Sequence, residues 1–171
     1  MYHVGDLVAH YKQGVCEVVA IGRIDLRVSD QEKEYYTLKP VYNKSGTLYI
    51  PVEGGDRQIR DVIAEEDAQN LIEGFDTVEL LEVQEEKKRE SVYRDTLLMN
   101  RCNNWMSLLK TTYTRKLQRL ATGKKVINID ERYLSSAEQF LIGEFAVALK
   151  TTKEDMKRVL LDLCAGLSVA S

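Results

Sequence analysis

The sequence predicts an α+β protein of two domains, a small antiparallel barrel-like sheet followed by an all-helical region. In the first third, short runs rich in Val, Ile, Tyr and Thr alternate with turns that contain Gly, which is the pattern of short strands. From Ile63 onward, the apolar residues recur at helical spacing instead. We therefore predict a sheet domain at residues 1–62 and a helical domain at residues 63–171.

The composition and charge are those of an ordered protein without a general affinity for polyanions. The chain has 171 residues, of which 44% are hydrophobic, 30% are charged and two are proline, as in folded globular domains. Its net charge of −3 excludes indiscriminate adherence to nucleic acid or anionic membranes, so any such contact must be local. Because the N-terminal residues lack a signal-peptide pattern and no apolar run approaches ~18 residues, we expect a cytoplasmic protein that does not enter membranes.

The cysteines and histidines suggest neither a disulfide framework nor a metal site. Cys16, Cys102 and Cys164 are far apart and form no CxxC pair. His3 and His10 have no nearby cysteine or histidine partner other than each other, and a lone histidine in a strand is usually structural. The sequence therefore predicts no metal and no cofactor, in a reducing cytoplasm.

About four or five short strands are predicted in the sheet domain, and together they would close into a small barrel-like sheet. The strand-like segments cover residues 4–8, 15–24, 34–38 and 47–52, with turns at residues 11–14, 29–32 and 43–46. An exposed edge of such a sheet is able to recruit a partner strand. We interpret Gly54-Gly55-Asp56 as a turn, because it lacks the further glycine or lysine spacing of a phosphate-binding loop.

The helical domain is predicted to begin with a helix that has acids in its first turn after Ala64 and that ends at Gly74. A charged segment at residues 84–100 follows, in which residues 85–90 resemble a solvated helix face. The residues of this segment that are expected to contact the core are Val92, Tyr93, Leu97 and Met99.

Three further helices complete the predicted domain. The first covers residues 104–121 and stops at Thr122-Gly123. The second is opened by Asp130-Glu131, two acids that the helix dipole explains, and is the predicted central helix. In the last helix Thr152 is the predicted N-cap, with Asp155 three residues later, and a loose tail is expected after Gly166.

The most distinctive stretch is the basic segment, residues 110–125, which carries six basic residues and no carboxylate. Its neutralisation of phosphates would release condensed counterions, so it is a candidate site for polyanions. A solvated helix face without a ligand is the alternative. The apolar stripe predicted on the buried side of this helix consists of Leu109, Tyr113, Leu117 and Leu120.

No catalytic constellation is visible in the sequence. A nucleophile needs a base within reach, and nothing resembles a nucleophile elbow, a metal-ligating His pair or a phosphate-cradling loop. Asp130 and Glu131 are adjacent on a helix and therefore point in different directions. The sequence predicts that the protein is not an enzyme.

Several short motifs follow one another in order along both halves of the chain. In the first half they are Val4-Gly5-Asp6-Leu7-Val8, Gly14-Val15-Cys16-Glu17-Val18, Tyr35-Tyr36-Thr37-Leu38, Tyr49-Ile50-Pro51-Val52 and Ile59-Arg60. In the second half they are Tyr113-Thr114-Arg115-Lys116-Leu117, Leu120-Ala121-Thr122-Gly123, Ser136-Ala137-Glu138 and Gly143-Glu144-Phe145-Ala146. Taken in this order, the motifs resemble those of the CarD/CdnL family of bacterial transcription regulators. The resemblance covers nearly the whole chain.

This resemblance implies a Tudor-like first domain, also shared with the transcription-repair coupling factor, that docks on the β subunit of RNA polymerase. Addition of a strand to an exposed sheet edge is a suitable physical mode, because backbone hydrogen bonds supply the contact and alternate side chains the specificity. Which strand forms that edge is left open, and burial in the barrel core is the alternative role for each candidate. The candidate polymerase-binding residues are Tyr36, Leu48, Tyr49, Ile50 and Arg60.

The resemblance also implies that the helical domain contacts promoter DNA at the upstream edge of the bubble and modulates the stability of the open complex. Cations would hold the backbone while an apolar wedge occupies an unstacked step. Trp105 departs from the family pattern in its position, so it is either a wedge or a core residue. The candidate DNA-binding residues are Lys110, Tyr113, Arg115, Lys116, Arg119, Lys124, Lys125 and Trp105.

We therefore expect a monomeric, non-enzymatic transcription regulator that bridges RNA polymerase and promoter DNA. The alternative from another class is a protein-only adaptor, in which the basic helix binds an acidic partner surface and touches no DNA. Binding to forked DNA in an electrophoretic assay distinguishes the two.

Overall fold

The computed structural model describes residues 1–25 and 32–167. It divides into two compact units, Met1–Val62 and Ile63–Ser171. The first is built on a curled antiparallel sheet and the second on helices, so the predicted α+β class is confirmed. The predicted turn at residues 29–32, apart from Glu32, and the tail beyond residue 167 lie outside the described residues.

The sheet domain contains five strands in the order β4-β3-β2-β1-β5, all antiparallel to their neighbours. The strands are β1 (Leu7–His10), β2 (Gly14–Gly22), β3 (Tyr35–Pro40), β4 (Leu48–Pro51) and β5 (Ile59–Asp61). The predicted start of the first strand at residue 4 was wrong. Instead, the Asp6 backbone N–H bonds the His3 carbonyl at 3.0 Å, and Gly5 has a φ of 96°, which is a turn conformation that suits glycine.

The core of this domain lies on one face of the curled sheet, as expected when side chains alternate along each strand. It is formed by Val8, Cys16, Val18, Tyr36, Leu38, Ile50 and Ile59. The register of β2 against β3 shifts between Val18 and Ala20, which marks a β-bulge. Val19 at the shift and Ile21 beyond it are both exposed.

The turn between β4 and β5 packs closely against β4. Gly54 has a φ of 81° and precedes a 3-10 turn at Gly55–Arg57. A β-carbon on Gly55 would lie 2.8 Å from Cγ2 of Ile50, so only glycine lets this backbone approach the core side of β4. The predicted turn at this glycine pair is therefore present, and it packs directly beneath the edge strand.

His10 in β1 is a buried neutral acceptor, and its titration gives a testable pH dependence. Its Nδ1 accepts hydrogen bonds from the backbone N–H groups of Lys12 and Gln13, at 3.2 Å each. Burial, and then the positive charge of Lys12, lower the pKa of His10 below its ordinary value of 6.5. Because the unfolded chain binds this proton at a higher pH than the folded chain, stability is full above the unfolded pKa and declines as the pH falls below it.

We expect the free energy of unfolding to fall between pH 7.5 and pH 5, by about 1.4 kcal/mol for each unit of pKa depression. Urea unfolding followed by circular dichroism across this range measures the slope. His10→Gln should flatten it, whereas His3→Gln should not, because His3 is largely exposed. An unchanged slope in His10→Gln would contradict this account.

The helical domain contains five α-helices among the described residues. They are α1 (Glu65–Glu73), α2 (Arg89–Leu98), α3 (Cys102–Ala121), α4 (Asn128–Ala148) and α5 (Lys153–Ala165). Helices α3 and α4 pack on each other in the centre, and the core includes Trp105, Leu109, Leu141 and Phe145. Thr152 is the N-cap of α5 as predicted, since its hydroxyl oxygen accepts from the Asp155 N–H at 3.1 Å.

Two of the predicted core contacts of this domain were wrong. Met99, at the end of α2, is 58% exposed, and Leu120, in the last turn of α3, is 54% exposed. Both lie where a helix ends, so no neighbouring helix covers the face that the apolar spacing assigned to the core. Tyr93 and Leu109 on the same two helices are buried as predicted.

Candidate functional site

The β4 edge is the most direct candidate for a docking surface. The strand order places β4 at one end of the sheet and β5 at the other. The Val52 N–H bonds the Glu34 carbonyl at 3.0 Å, and Ile50 opposes Tyr36 two residues earlier. In an antiparallel ladder, bonded and non-bonded pairs alternate. The backbone N–H and C=O of Ile50 therefore bond β3, whereas those of Tyr49 point away from the sheet.

Side chains on β4 alternate in the same way. Ile50 is buried in the core, Leu48 is half-buried, and Tyr49 is 40% exposed on the opposite face. Pro51 has no N–H, so it contributes only a carbonyl to the outer edge. The edge thus offers Tyr49 as a complete backbone donor and acceptor pair, with an aromatic side chain beside it.

The other two polymerase-binding candidates, Tyr36 and Arg60, do not lie on β4. Tyr36 is 3% exposed, and its hydroxyl oxygen accepts from the Tyr2 N–H at 3.1 Å. Arg60 lies on β5, the opposite edge strand, and donates to the Asp61 carbonyl at 2.9 Å. The five candidates therefore do not form one surface: Leu48, Tyr49 and Ile50 share β4, Tyr36 is in the core, and Arg60 lies at the other edge.

Lys110, the first cation of the basic segment, has a structural role. Its Nζ donates to the backbone carbonyls of Phe75, Asp76 and Val78, at 3.0, 2.9 and 2.8 Å. These carbonyls belong to the 3-10 turn at Phe75–Thr77 and the residue after it. An ammonium has three donors, so this contact uses all of them and leaves Lys110 none for the DNA phosphate that the sequence assigned to it.

Replacing Lys110 by Met should lower stability without lowering DNA affinity. The apolar stem remains while three carbonyls lose a charged donor, so we expect a loss of about 1.5–3 kcal/mol in the free energy of unfolding. Lys125→Met is the matched control, because an exposed lysine change should stay within about 0.5 kcal/mol. Urea unfolding measures the free energy of unfolding of both variants. A Lys110→Met protein that unfolds like wild type would contradict the structural role of Lys110.

Arg115 is also engaged within the fold. Its Nε donates to both carboxylate oxygens of Asp130, at 3.2 and 3.0 Å, and its Nη2 donates to Oε1 of Glu86 at 3.1 Å. Asp130 is 1% exposed and accepts a further bond from the Tyr93 hydroxyl at 2.9 Å. Burial and the Asp130 carboxylate raise the pKa of Tyr93 to about 12. The Arg115 side chain therefore neutralises a buried carboxylate and joins α3 to α4.

Glu86 and Arg89 extend this network to the start of α2. The Glu86 carboxylate accepts from Nε and Nη2 of Arg89, at 2.8 and 2.9 Å, as well as from Arg115. These bonds, with that of Arg89 first, hold the pKa of Glu86 below its ordinary value. The sequence missed this cluster, because a run of alternating charges resembles a solvated face, whereas Arg89 is buried.

The cations that remain available lie at the C-terminal end of α3, and we call Lys116, Arg119, Lys124 and Lys125 the cationic patch. Arg119 donates through Nε to the Lys125 carbonyl at 2.9 Å, which leaves its two terminal nitrogens free of bonds within the described chain. Lys116 Nζ is 3.9 Å from Oε1 of Glu131, a weak exposed pair.

The backbone holds the end of this patch in place. Gly123 has a φ of 72°, and its N–H bonds the Leu120 carbonyl at 3.1 Å. The Lys124 N–H bonds the Arg119 carbonyl at 2.9 Å, which completes a Schellman motif. Lys124 and Lys125 are exposed, and the turn that leads into them has a defined backbone conformation. Tyr113, the remaining candidate, is half-buried earlier on α3.

Trp105 is a core residue, which settles the choice that the sequence left open. It is 1% exposed, and its ring stacks on Phe140 with a centroid separation of 5.0 Å. Its Nε1 donates to the Leu97 carbonyl at 2.9 Å. Because the ring is enclosed and its polar atom is satisfied, Trp105 does not provide an apolar wedge in this conformation.

Two other kinds of feature are absent from the part of the chain that the structure describes. Across residues 1–25 and 32–167, no three His, Cys, Asp or Glu side chains are placed to hold a metal ion. No helix in the same part of the chain has the length and apolar character needed to cross a membrane. The surfaces that stand out are a free strand edge and a local patch of cations.

An edge strand such as β4 is a surface to which a partner strand can add. Residues 2–63 match the family model described as the CarD-like/TRCF RID domain. The first domain is therefore a CarD-like RNA polymerase-interacting domain, as the sequence motifs predicted. Interaction with RNA polymerase and a role linked to transcription follow from this membership, and the domain family is non-catalytic.

Proposed function

We propose that the protein is a monomeric, cytoplasmic transcription regulator that docks on the β subunit of bacterial RNA polymerase and contacts promoter DNA near the upstream edge of the bubble. The observation that carries the docking part is the free edge of β4 within the polymerase-interacting domain. A segment of the polymerase would add to this edge as a further strand and bond the outward N–H and C=O of Tyr49.

The cationic patch supports the DNA part of the proposal. Lys116, Arg119, Lys124 and Lys125 lie within ten residues on the end of α3 and its Schellman turn, and the acidic remainder of the chain makes this concentration local. Cations at such positions contact phosphates and fix the protein on the duplex without reading bases. With the protein anchored on polymerase, even a few phosphate contacts change the lifetime of the open complex, provided that they are stronger in that state than in the closed one.

A protein-only adaptor is the second candidate, and the internal use of Lys110 and Arg115 favours it. Both cations were expected to face a ligand, and both instead bond groups of the same domain. The surviving patch would then bind an acidic protein surface.

An electrophoretic assay with forked DNA separates the two functions. The DNA-contacting regulator should shift forked DNA and lose affinity steeply as salt rises, because each phosphate contact releases counterions. The adaptor should show no shift at low salt while it is still retained by RNA polymerase. Retention of neither partner would contradict both candidates.

A further inference from the structure

An open groove lies beside the cationic patch, between the start of α2 and the end of α3. It has a volume of about 450 Å³. Its lining combines three cations with short polar side chains and a single carboxylate, and includes Glu86, Arg115, Gln118, Arg119, Thr122 and Lys124. The groove is therefore large enough for a phosphate group and carries donors of the kind that recognise one.

The charges around the groove leave it cationic. The buried carboxylate of Asp130 neutralises Arg115, and the carboxylate of Glu86 is shared between Arg115 and Arg89. Arg119 and Lys124, which also line the groove, meet no carboxylate within the described chain. Planar guanidinium groups and an ammonium around one space suit an oxyanion, since arginine forms paired bonds to phosphate.

Glu86 holds the position that such an oxyanion would take. Its carboxylate accepts from Nη2 of Arg115 at 3.1 Å and from two nitrogens of Arg89. The Glu86 side chain is 66% exposed and sits in a 3-10 turn, so it can rotate into solvent without unfolding a helix. A phosphate that enters the groove would replace this carboxylate on Arg115 and gain Arg119 and Lys124 as further partners.

We infer that this groove is a binding site for one phosphate group and that Glu86 is its internal competitor, which weakens phosphate binding until it is displaced. The inference deepens the proposed DNA contact and rests on it for the source of the phosphate, which is either the DNA backbone or a free phosphate compound. In the first case Glu86 limits how tightly the regulator holds DNA away from polymerase.

The test compares Glu86→Gln with Glu85→Gln in the full-length chain. The two changes alter net charge equally, but Glu85 lies outside the groove, where its carboxylate pairs with Lys87 at 3.5 Å. Forked DNA of fixed length and inorganic pyrophosphate are the two probes. For DNA, we expect Glu86→Gln to bind about three- to tenfold more tightly than Glu85→Gln and to steepen the log–log salt slope by about 0.9. Adding Arg119→Gln should remove the gain.

The results for the two probes distinguish the groove from the source of its phosphate. A gain for DNA that exceeds that of Glu85→Gln supports the groove with the DNA backbone as its ligand. A gain for pyrophosphate alone supports the groove but contradicts its use in the proposed DNA contact. Equal binding by Glu86→Gln and Glu85→Gln, for both probes, would overturn the inference and leave the proposed function standing on the cationic patch.

Discussion

Tyr49→Pro is expected to strongly reduce the retention of RNA polymerase by the full-length chain. Proline at this position removes the outward backbone N–H of Tyr49, and Pro51 has no N–H to replace it. The proline ring also blocks the approach of an added strand. The loss of a backbone bond and the clash together should weaken docking by about ten- to a hundredfold. Co-purification of polymerase with the tagged protein measures the effect.

Tyr49→Thr is the matched control for this variant. It removes the aromatic ring but keeps the N–H and a residue that favours strands. Because Tyr49 points outward and does not bond β3, proline at this edge should leave the fold largely intact. Loss in Tyr49→Pro with partial retention in Tyr49→Thr identifies the backbone edge as the docking element. Full retention by Tyr49→Pro would exclude strand addition at β4.

Simultaneous Arg119→Glu, Lys124→Glu and Lys125→Glu changes should cause the largest loss of DNA affinity. If each cation neutralises one phosphate, the log–log salt slope should fall in magnitude by about 2.7, and affinity near 100 mM salt by more than about a hundredfold. The change can be followed by fluorescence anisotropy with labelled forked DNA over a range of salt concentrations.

The control for this variant reverses three exposed cations on α5, Lys153, Lys157 and Arg158. It makes the same change in net charge at a different place, so it separates a local contact from general repulsion of the polyanion. Equal losses in the two triple variants would show that net charge, rather than the cationic patch, governs DNA binding.

Sequence reasoning predicted the parts of this protein that depend on local pattern. The turns at residues 11–14 and 43–46 and the Thr152 cap follow from spacing and turn chemistry. The helix predicted at residues 104–121 is observed at Cys102–Ala121, with its stop at Gly123. The first strand, predicted from residue 4, begins only at Leu7. Sequence reasoning did not identify the edge strands. Which strand lies at an edge depends on strand order, and the order β4-β3-β2-β1-β5 brings β5 beside β1 across the whole domain.

The side-chain roles in the basic segment were harder to predict. The position of a lysine or arginine along a helix is the same whether its side chain binds a ligand or a group of the same domain. Lys110 bonds carbonyls more than thirty residues away, and Arg115 bonds a carboxylate that opens the next helix. The acid at Asp130 resembled an ordinary first-turn residue, yet it is buried and paired. Only the tertiary packing separates these two cations from Arg119, Lys124 and Lys125.

Leu120 and Trp105 illustrate the same difficulty for apolar residues. Spacing placed Leu120 in the core, and a family resemblance placed Trp105 as a possible DNA contact, whereas the exposed residue is Leu120 and the buried one is Trp105. A helix that extends beyond its neighbours exposes its last turn regardless of residue type. Such an end is visible only when the packed partners are known.

The proposed function requires that one chain use two separate surfaces, one for polymerase and one for promoter DNA. The most direct test is the lifetime of an open promoter complex, measured by its decay after addition of competitor DNA, with wild type, Tyr49→Pro or the Arg119, Lys124 and Lys125 reversal. We expect wild type to change the lifetime and each variant to leave it at the value without the protein. A lifetime that either variant changes as much as wild type would contradict the claim that both surfaces are required.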